Sequence, residues 1–219
     1  MATEPGLRER KKQRTRQLIF ETASRLFAER GFDAVTVAEV ARAADVSEVT
    51  VFNHFPTKED LFFGGMEFFE ATLLEAVRQR EPGESAVVAF GRRVLESSGR
   101  LAAEENALAI ASAGALISGS PALLAREREI VARYTELLAR LLAEETGVKV
   151  DDVEPLAAAS ALMGAHRGLV AYVRTRVLAG ARGRQLSAEM QSQARRAFAR
   201  LEGGLAGYAA APDHGGPGR

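Results

Sequence analysis

Apolar residues recur along most of the chain at spacings of three and four, the pattern of amphipathic α-helices. One such run passes through Leu18, Ile19, Leu26 and Phe27 and is closed by Gly31, a residue type that often ends helices. Period-two alternation of β-branched residues, which is typical of strands, is missing. The pattern therefore predicts an all-α protein of eight or nine helices. We expect a first helix ending at residue 31, then helices at 37–44, 48–54, 58 to beyond 77, 85–103, 107–117, 121–146, 153–178 and 187–208.

Two short helices with a tight connection are predicted between residues 36 and 55. Thr36 and Glu39 have the spacing of a capping box, and Ser47 stands at the capping position of the second helix. Asp45 and Val46 lie in the turn between them. This arrangement predicts a helix-turn-helix, whose second helix can enter the major groove of DNA. We expect Val37, Val40, Ala41, Val51 and Phe55 to face inward, and Glu48, Val49, Thr50, Asn53 and His54 to face outward.

Three stretches of this region resemble the N-terminal domain of the TetR family of bacterial regulators. They are L-F-A-E-R-G-F at 26–32, T-V-A-E-V-A at 36–41 and V-S-E-V-T-V-F-N-H-F-P-T-K-E-D-L at 46–61. Each stretch alone is weak evidence, but their order and spacing together carry the resemblance. The chain departs from the family pattern at Phe52, where the family usually has Tyr, and at Asp45, where it usually has Gly. Asp tolerates the left-handed backbone conformation that such a turn requires.

The resemblance implies an all-α fold with an N-terminal three-helix helix-turn-helix DNA-binding domain and a C-terminal helical domain for ligand binding and dimerisation. Thr50 and Asn53 match positions that reach base edges, and Asn can bond adenine N6 and N7. Thr36, His54 and Lys58 match positions that contact the DNA backbone. The predicted DNA-binding residues are Arg14, Thr36, Ser47, Glu48, Val49, Thr50, Phe52, Asn53, His54 and Lys58.

Several of these residues have an alternative, purely structural interpretation. Glu48 either accepts a hydrogen bond from cytosine or only stabilises the first helical turn. Phe52 either contacts DNA or packs in the core. Thr36 is a helix cap whether or not it also binds a phosphate, and His54 is otherwise an ordinary surface residue.

The resemblance weakens after residue 62, so the remaining boundaries are approximate. We predict a flexible basic arm at residues 1–13, the helix-turn-helix domain at 14–62, a ligand-binding and dimerisation domain at 63–208, and a disordered tail at 209–219. In the resembled family the C-terminal helices bind a small molecule. The candidate ligand-binding residues are Asn106, Ser112, Tyr134, Met163, His166, Arg167 and Tyr172, with an ordinary core or surface position as the alternative for each.

The last two long helices are predicted to pair with those of a second copy. Their small residues suit close helix packing, and two half-site readers require a dimer. A core within one chain is the alternative. The predicted faces are Leu156, Ala159, Ser160, Met163, Gly164, Arg167, Leu169 and Val170 on the first helix, and Ala194, Ala197, Phe198, Leu201 and Leu205 on the second.

The net charge of the whole chain argues against a nucleic-acid partner, but the distribution of charge along the chain permits one. The 219 residues hold 29 Lys and Arg against 29 Asp and Glu, a net charge of zero, whereas binding phosphates draws on basic residues. Residues 1–16, however, contain six basic and two acidic residues, and residues 17–62 contain four basic and eight acidic ones. The positive charge is therefore gathered in the arm, which suits phosphate or minor-groove contact, or is simply a solvated tail.

Other counts exclude whole classes of chemistry. The chain has no Cys, which excludes disulfides, thiolate metal sites and a cysteine nucleophile. Its three His residues lie far apart, so we expect no metal site and no cofactor. No nucleophile–base pairing or glycine-rich phosphate loop stands out, and we therefore predict no catalytic residues and no enzymatic activity.

The location predicted for the protein is the bacterial cytoplasm, in association with the nucleoid. The N-terminus is polar and basic and lacks the apolar core of a secretory signal. The longest uncharged run, Asn106 to Ala125, has roughly the length of a membrane span. It contains Gly119, Ser120 and Pro121, so we interpret it as a helix followed by a break, with no membrane partner.

Together these features favour a homodimeric transcriptional regulator. We expect it to act as a repressor that binds a palindromic operator in double-stranded DNA and is released by a small organic effector. The alternatives are a TetR-like activator and a helical protein that has lost DNA binding and interacts with other partners. The outward Asn53 and Lys58 argue against the loss of DNA binding, while Phe52 argues slightly for it.

Overall fold

The structure is a computed structural model that describes residues 6–149 and 152–205, with their side chains except at residues 7, 9, 101, 102 and 205. All regular structure in these residues is helical, which confirms the predicted all-α class. The helices are α1 Leu7–Arg30, α2 Val37–Ala43, α3 Glu48–His54, α4 Lys58–Arg78, α5 Ala86–Ser98, a 3₁₀ turn Gly99–Ala102, α6 Glu104–Gly119, α7 Pro121–Thr146, α8 Val153–Leu178 and α9 Gly183–Leu205.

The chain divides into two compact units. The first contains the chain up to Phe68 together with Ala115–Glu127, and the second contains Phe69–Gly114 and the chain from Arg128 onward. This division differs from the predicted boundary at residue 62. The first unit extends six residues further along α4, and it includes a segment that is distant in sequence. The predicted tail at 209–219 lies outside the described residues.

Helices α1, α2 and α3 surround the core of the first unit. Phe20 of α1 also lies against α4, where a Cβ atom built on Gly65 would come within 2.8 Å of its ring. Glycine at that position therefore permits the close approach of the two helices. Val37, which was expected to face inward, is half-exposed. The fully or nearly fully buried apolar residues include Ile19, Ala23, Phe27, Val35, Val40, Ala41, Val51 and Phe55.

Helix α1 extends further toward the N-terminus than the sequence predicted. It begins at Leu7, so residues 7–13 of the predicted flexible arm are helical. The reason is intrinsic propensity, because Arg, Lys, Gln and Glu favour helix and neither Gly nor Pro interrupts Leu7–Arg30. At the other end, Gly31 takes a φ of +86° and closes the helix as predicted. Residues 1–5 lie outside the described residues.

In the second unit, α9 packs against α5, α8 and the 3₁₀ turn. A Cβ atom on Gly91 of α5 would lie 2.9 Å from the ring of Phe198 of α9, so these two helices approach closely. The bounds of three predicted helices shift. The fifth helix ends at Ser98 and continues as a 3₁₀ turn, and the last helix begins at Gly183 instead of residue 187. Helix α6 spans Glu104–Gly119 instead of 107–117. Buried apolar residues of these helices include Phe90, Val94, Leu162, Met163, Leu186, Met190 and Phe198.

The long uncharged run is broken where the sequence predicted a break. Helix α6 ends at Gly119, α7 begins at Pro121, and the two helices meet at 111°. Within the described chain, α8 is the single helix whose length and apolar character alone would suit a bilayer. It packs against α5 and α9, and core helices of soluble proteins share its length and composition.

The capping box of α2 predicts a specific acid sensitivity. Glu39 accepts hydrogen bonds from the Thr36 N–H (2.8 Å) and from Arg30 Nη2 (2.7 Å). These bonds, that of the Thr36 backbone foremost, lower the pKa of Glu39 from 4.5 to about 2. A carboxyl whose pKa falls on folding contributes stability above its unfolded pKa and loses that contribution as the pH drops toward the folded pKa. We therefore expect the Glu39→Gln variant to lose stability less steeply than the wild type between pH 4.5 and about 2.

Urea unfolding followed by circular dichroism at a series of pH values measures this difference. The two curves should converge at the acid end of the range, where the wild-type carboxyl is protonated. Parallel curves across the whole range would contradict the expectation.

Candidate nucleic-acid interface

The first helix of the helix-turn-helix begins with the predicted capping box. The Thr36 hydroxyl accepts a hydrogen bond from the Glu39 N–H at 3.2 Å and donates to the Glu39 carboxylate at 2.9 Å. Its proton is therefore already directed at Glu39. A phosphate arriving at this helix end would first meet the backbone N–H groups of the opening turn, which a helix leaves without internal partners.

The turn between α2 and α3 contains Asp45 in the left-handed conformation, with φ of +54°. In the described chain it is the one residue other than glycine with positive φ. The Val46 N–H donates to the Ala41 carbonyl at 3.0 Å and closes the turn. The departure from the family's usual Gly is thus accommodated, because Asp visits this conformation more readily than most residues.

Helix α3 is fixed at its start by Ser47 and on its inner side by two buried residues. The Ser47 hydroxyl accepts a hydrogen bond from the Thr50 N–H at 3.1 Å. The Ser47 and Thr50 hydroxyls lie 2.8 Å apart in a second bond. Val51 is fully buried and Phe55 almost so, as predicted. Thr50 is half-buried, with its hydroxyl turned to Ser47, so it is less outward than the sequence predicted.

The exposed side of α3 carries a short row of polar and apolar side chains. Val49 is 68% and Phe52 46% exposed, and Glu48 and Asn53 are exposed beside them. The exposed ring of Phe52 does not support its alternative interpretation as a core residue. Glu48 lies in the first turn of the helix, where both of its interpretations stay open. These four residues form the exposed side of α3.

Basic residues of α1 lie next to the end of α3. The Arg16 guanidinium stands 4.2 Å from the centre of the Phe55 ring. Burial, followed by the charges of Arg16 and Lys12, lowers the pKa of His54. Lys12 and Arg14 are exposed, and Arg16 is half-exposed. Lys12, Arg16 and His54 therefore form a basic group, which we call the flanking cluster.

The sequence prediction did not include Lys12 and Arg16 among the site residues. Their signal is a spacing of four, since Arg8, Lys12 and Arg16 share one face of a helix. In a flexible arm, as predicted for residues 1–13, Arg8 and Lys12 would have no fixed face. Because α1 begins at Leu7, the spacing of four places these residues on one face of the helix.

Lys58 begins α4 beside an aromatic cluster. Its Nζ lies 4.2 Å from the centre of the Phe32 ring and 6.0 Å from that of Phe27. A second capping pattern holds this helix end, with Thr57 N–H donating to Asp60 at 3.1 Å and Asp60 N–H to the Thr57 hydroxyl at 3.0 Å. The charge of Lys58 is thus held by packing on aromatic faces. Its contact with the DNA backbone stays a prediction.

The candidate ligand-binding residues do not form one group. Asn106 and Arg167 are exposed, and Asn106 Nδ2 donates to the Arg100 carbonyl at 2.9 Å. Ser112 is half-exposed. The Tyr172 hydroxyl is 3.3 Å from Glu189 Oε2. The candidates that are buried are Tyr134, Met163 and His166.

The helical phase of α8 explains this dispersal. His166 and Arg167 are adjacent in sequence, but His166 is buried and Arg167 is exposed. His166 Nε2 instead lies 3.5 Å from Oε1 of Glu70, a residue that the sequence prediction did not include. Glu70 had a signal, because it is an acid in the otherwise largely apolar middle of α4. In the described chain no group of three or more His, Cys, Asp or Glu residues has the geometry to hold a metal ion.

Comparisons with known families match both parts of the chain. The model of the family "Bacterial regulatory proteins, tetR family" matches residues 19–64, which contain α2 and α3. A second model, "MftR C-terminal domain", matches residues 84–206, more than half of the chain. The fold, the exposed face of α3 and these matches define a helix-turn-helix transcriptional regulator. The chain belongs to the TetR family.

Similar proteins include several HTH-type transcriptional regulators. The chain is 35% identical over 86 residues to the HTH-type transcriptional regulator TcmR of Streptomyces glaucescens, which covers 39% of this chain and 38% of TcmR. It is 38% identical over 63 residues to the HTH-type transcriptional regulator AcrR of Shigella flexneri, covering 29% of each. The chain thus matches less than half the length of these curated relatives.

Solved structures share the fold over most of the chain. One is NalD, the secondary repressor of the MexAB-OprM multidrug efflux pump in Pseudomonas aeruginosa, with 20% identity and a TM-score of 0.51 over 85% of this chain and 96% of that chain. Another is a SmeT–triclosan complex, with 17% identity and a TM-score of 0.51 over 94% and 98%. At these identities the likeness concerns the fold alone.

The lowered pKa of His54 predicts a pH dependence of DNA binding. Burial and the neighbouring cations favour the neutral imidazole in the free protein. A phosphate beside His54 favours the protonated form, so binding takes up a proton. Affinity should therefore rise as the pH falls from 8 to 6, by up to about tenfold for each unit by which the phosphate raises the pKa.

Fluorescence anisotropy with a DNA duplex recovered by selection from random oligonucleotides measures this dependence. The His54→Gln variant, which keeps a hydrogen-bonding side chain without this titration, should show a flatter profile. An identical profile for both proteins would show that His54 does not contact the backbone.

Proposed function

We propose that the protein is a homodimeric repressor that binds a palindromic operator through α3 and releases it when a small organic effector binds the second unit. The observation that carries the proposal is the exposed row Glu48, Val49, Phe52 and Asn53 on the second helix of a helix-turn-helix. The flanking cluster provides positive charge next to this row. A row of base-reading residues bordered by phosphate-binding residues is what a major-groove reader requires.

Asn53 is the residue to which we assign the most specific base contact. It is exposed near the end of α3, and an amide side chain can bond adenine N6 and N7 together. Val49 offers methyl groups to thymine. Phe52 adds an apolar surface in place of the tyrosine hydroxyl that the family usually presents. Thr50 contributes only if its hydroxyl gives up part of its bonding to Ser47.

Phosphate binding depends on few groups in this chain, since the net charge is zero. We assign it to the N-terminus of α2 at Thr36, the flanking cluster, Arg14 and Lys58. We expect the face of α1 that carries Lys12 and Arg16 to contribute more to phosphate binding than a flexible arm would. Helical basic residues are already ordered, so they lose less conformational entropy on binding.

We assign dimerisation to the outer face of α8. Leu156 is 48% exposed, and Ser160 and Gly164 are exposed along the same side. Cβ atoms built on Gly164 and Gly168 would meet nothing within 4 Å, so a second helix can approach closely there. This face is narrower than the one predicted from sequence, because part of that set is buried within the unit. The buried members are Ala159, Met163, Leu169, Ala194 and Phe198.

A small organic effector would act by preferring one of two states of the dimer. It can weaken operator binding only by as much as its affinity differs between the DNA-bound and the free states. The solved SmeT–triclosan complex has the same fold with an organic molecule bound. A cytoplasmic location on the bacterial nucleoid follows from the operator as the target.

The test is a selection of random double-stranded oligonucleotides with the purified full chain. We expect an enriched palindromic motif, and we expect Asn53→Ala to relax the preference at one base pair per half-site. That change corresponds to about 1–3 kcal/mol for a bidentate contact. A matched control is Gln13→Ala, an exposed amide of α1 outside the flanking cluster. A selection without any enriched motif, by a chain shown to be folded, would refute the proposal.

A further inference from the structure

A buried pair of ionisable residues lies in the second unit, whereas the residues that we assign to DNA reading belong to the first unit. Glu70 of α4 is 1% exposed and His166 of α8 is 6% exposed. Glu70 Oε1 and His166 Nε2 are 3.5 Å apart. This contact is an ion pair only when His166 is protonated. Nothing in the DNA-binding role of the protein uses this pair.

Both residues also carry a buried polar atom without a hydrogen-bond partner among the described groups. These atoms are Glu70 Oε2 and His166 Nδ1. Buried polar atoms are nearly always hydrogen-bonded, and a buried carboxylate with an unused oxygen is strongly unfavourable. The pair itself is also loose, because charge-assisted hydrogen bonds measure about 2.7–2.9 Å. The two residues therefore do not satisfy each other.

The chemistry of the two atoms determines which hydrogen-bonding groups could pair with them. A carboxylate oxygen only accepts hydrogen bonds. If His166 directs an Nε2 proton at Glu70, its Nδ1 is also an acceptor. The unused oxygen of the buried carboxylate therefore requires an N–H or O–H donor and, for charge balance, a positive charge. An organic ammonium group meets both conditions, whereas an anion meets neither of them.

The neighbouring side chains suit the apolar part of such a molecule. The Phe69 ring centre lies 5.4 Å from that of His166. The guanidinium groups of Arg93 and Arg100 lie 5.3 and 5.9 Å from the Phe69 ring centre, so this ring already accepts cations. Arg93 has Glu96 as its ionic partner at 3.9 Å. Met163, one turn before His166, is buried.

We propose that Glu70 and His166 are the polar anchor of the effector site and that this site takes a small organic amine. The ammonium nitrogen donates to Glu70 Oε2, and the apolar body of the amine lies against Phe69. The inference rests on the proposed ligand response and adds its chemical class. Glu70 belongs to α4, the helix that directly follows the helix-turn-helix in the chain. An amine bound there would therefore act on an element that both units share.

The test uses two probes of similar size and opposite charge, phenethylammonium and hydrocinnamate. Binding to the full chain is measured by ligand-observed NMR titration, at concentrations suited to a fragment with a Kd of about 1 mM. We expect the ammonium probe to bind at least about tenfold more tightly than the carboxylate, and Glu70→Gln to remove that preference. The matched control is Glu75→Gln, an equal charge change on the same helix that should leave the preference intact.

A ligand-free measurement separates a binding site from a structural ion pair. In the ligand-free protein, Glu70→Met should leave the Tm unchanged or raise it, because an apolar side chain replaces a poorly satisfied carboxylate. A marked fall in Tm would show that the pair stabilises the fold and would overturn the proposal. Equal binding of the two probes, failure of both to bind, or a preference that survives in Glu70→Gln would overturn it as well.

Measuring operator binding by the wild-type chain without any probe distinguishes failure of the amine-site proposal from failure of the repressor proposal. If the operator is bound and the probes fail, only the amine site is refuted. If no operator is bound, the repressor proposal is refuted, while the probe titration still decides whether Glu70 and His166 bind amines.

Discussion

Phe55→Ala should destabilise the first unit by about 3–5 kcal/mol and abolish operator binding. Phe55 ends α3, is 1% exposed and carries the Arg16 guanidinium on its ring. A Cβ atom on Gly64 would come within 2.9 Å of the same ring, so Phe55 also fits tightly against α4. Its removal opens a cavity where α1, α3 and α4 meet. Urea unfolding and anisotropy with the selected operator measure the two losses.

Phe52→Ala is the matched control, since it removes the same side chain three residues earlier on the same helix. Phe52 is 46% exposed, so its loss should change stability by less than about 0.5 kcal/mol. It should weaken operator binding only moderately. Equal destabilisation by the two variants would contradict the inward and outward assignment of α3.

Gly164→Glu should convert the protein to monomers and lower operator affinity at least about 100-fold, because the two half-sites no longer bind as one unit. We expect the substitution to leave the fold of the chain intact. A Cβ atom at Gly164 has open space around it, and the residue lies in the interior of α8, where Glu favours helix more than Gly does. Across a two-fold axis, however, two glutamates would meet at a close helix contact.

Ala132→Glu provides the control for this variant. Ala132 is exposed on α7, and its replacement adds the same charge to a helix that the proposed dimer does not use. Sedimentation velocity should show a dimer for the control and a monomer for Gly164→Glu. A dimeric Gly164→Glu variant with unchanged operator affinity would exclude the outer face of α8 as the interface.

The helix-turn-helix was predictable because its signals are local. Thr36 and Glu39, three residues apart, specify the start of α2, and Val51 and Phe55, four apart, specify the buried side of α3. The partial burial of Thr50 could also have been predicted from its spacing from Ser47. A capping hydroxyl accepts a hydrogen bond from the residue three positions further on.

The first turns of α1 were not predicted because the pattern used to find helices is an apolar one. Residues 8–17 are all polar, so no hydrophobic periodicity marks them, although their intrinsic propensity is high. The position of Lys12 and Arg16 beside His54 follows only when that stretch is helical.

The ligand-binding candidates were the least predictable part for two physical reasons. Helix α8 has small and apolar residues on most of its sides, so its sequence does not determine which side is buried. The sequence therefore grouped Arg167 with His166, and the structure separates them. Glu70 and His166 are brought together by tertiary packing of α4 and α8, and no spacing rule relates residues so far apart in the chain.

The ratio of operator affinity to affinity for a scrambled duplex, both measured at one salt concentration, tests the central claim that α3 reads DNA sequence. We predict a ratio of at least about 1,000 for the wild type, as is typical of specific DNA-binding proteins. We predict a much smaller ratio when Val49 and Asn53 are both replaced by Ala. A ratio near one for the folded wild-type dimer, or an unchanged ratio for the double variant, would contradict the account.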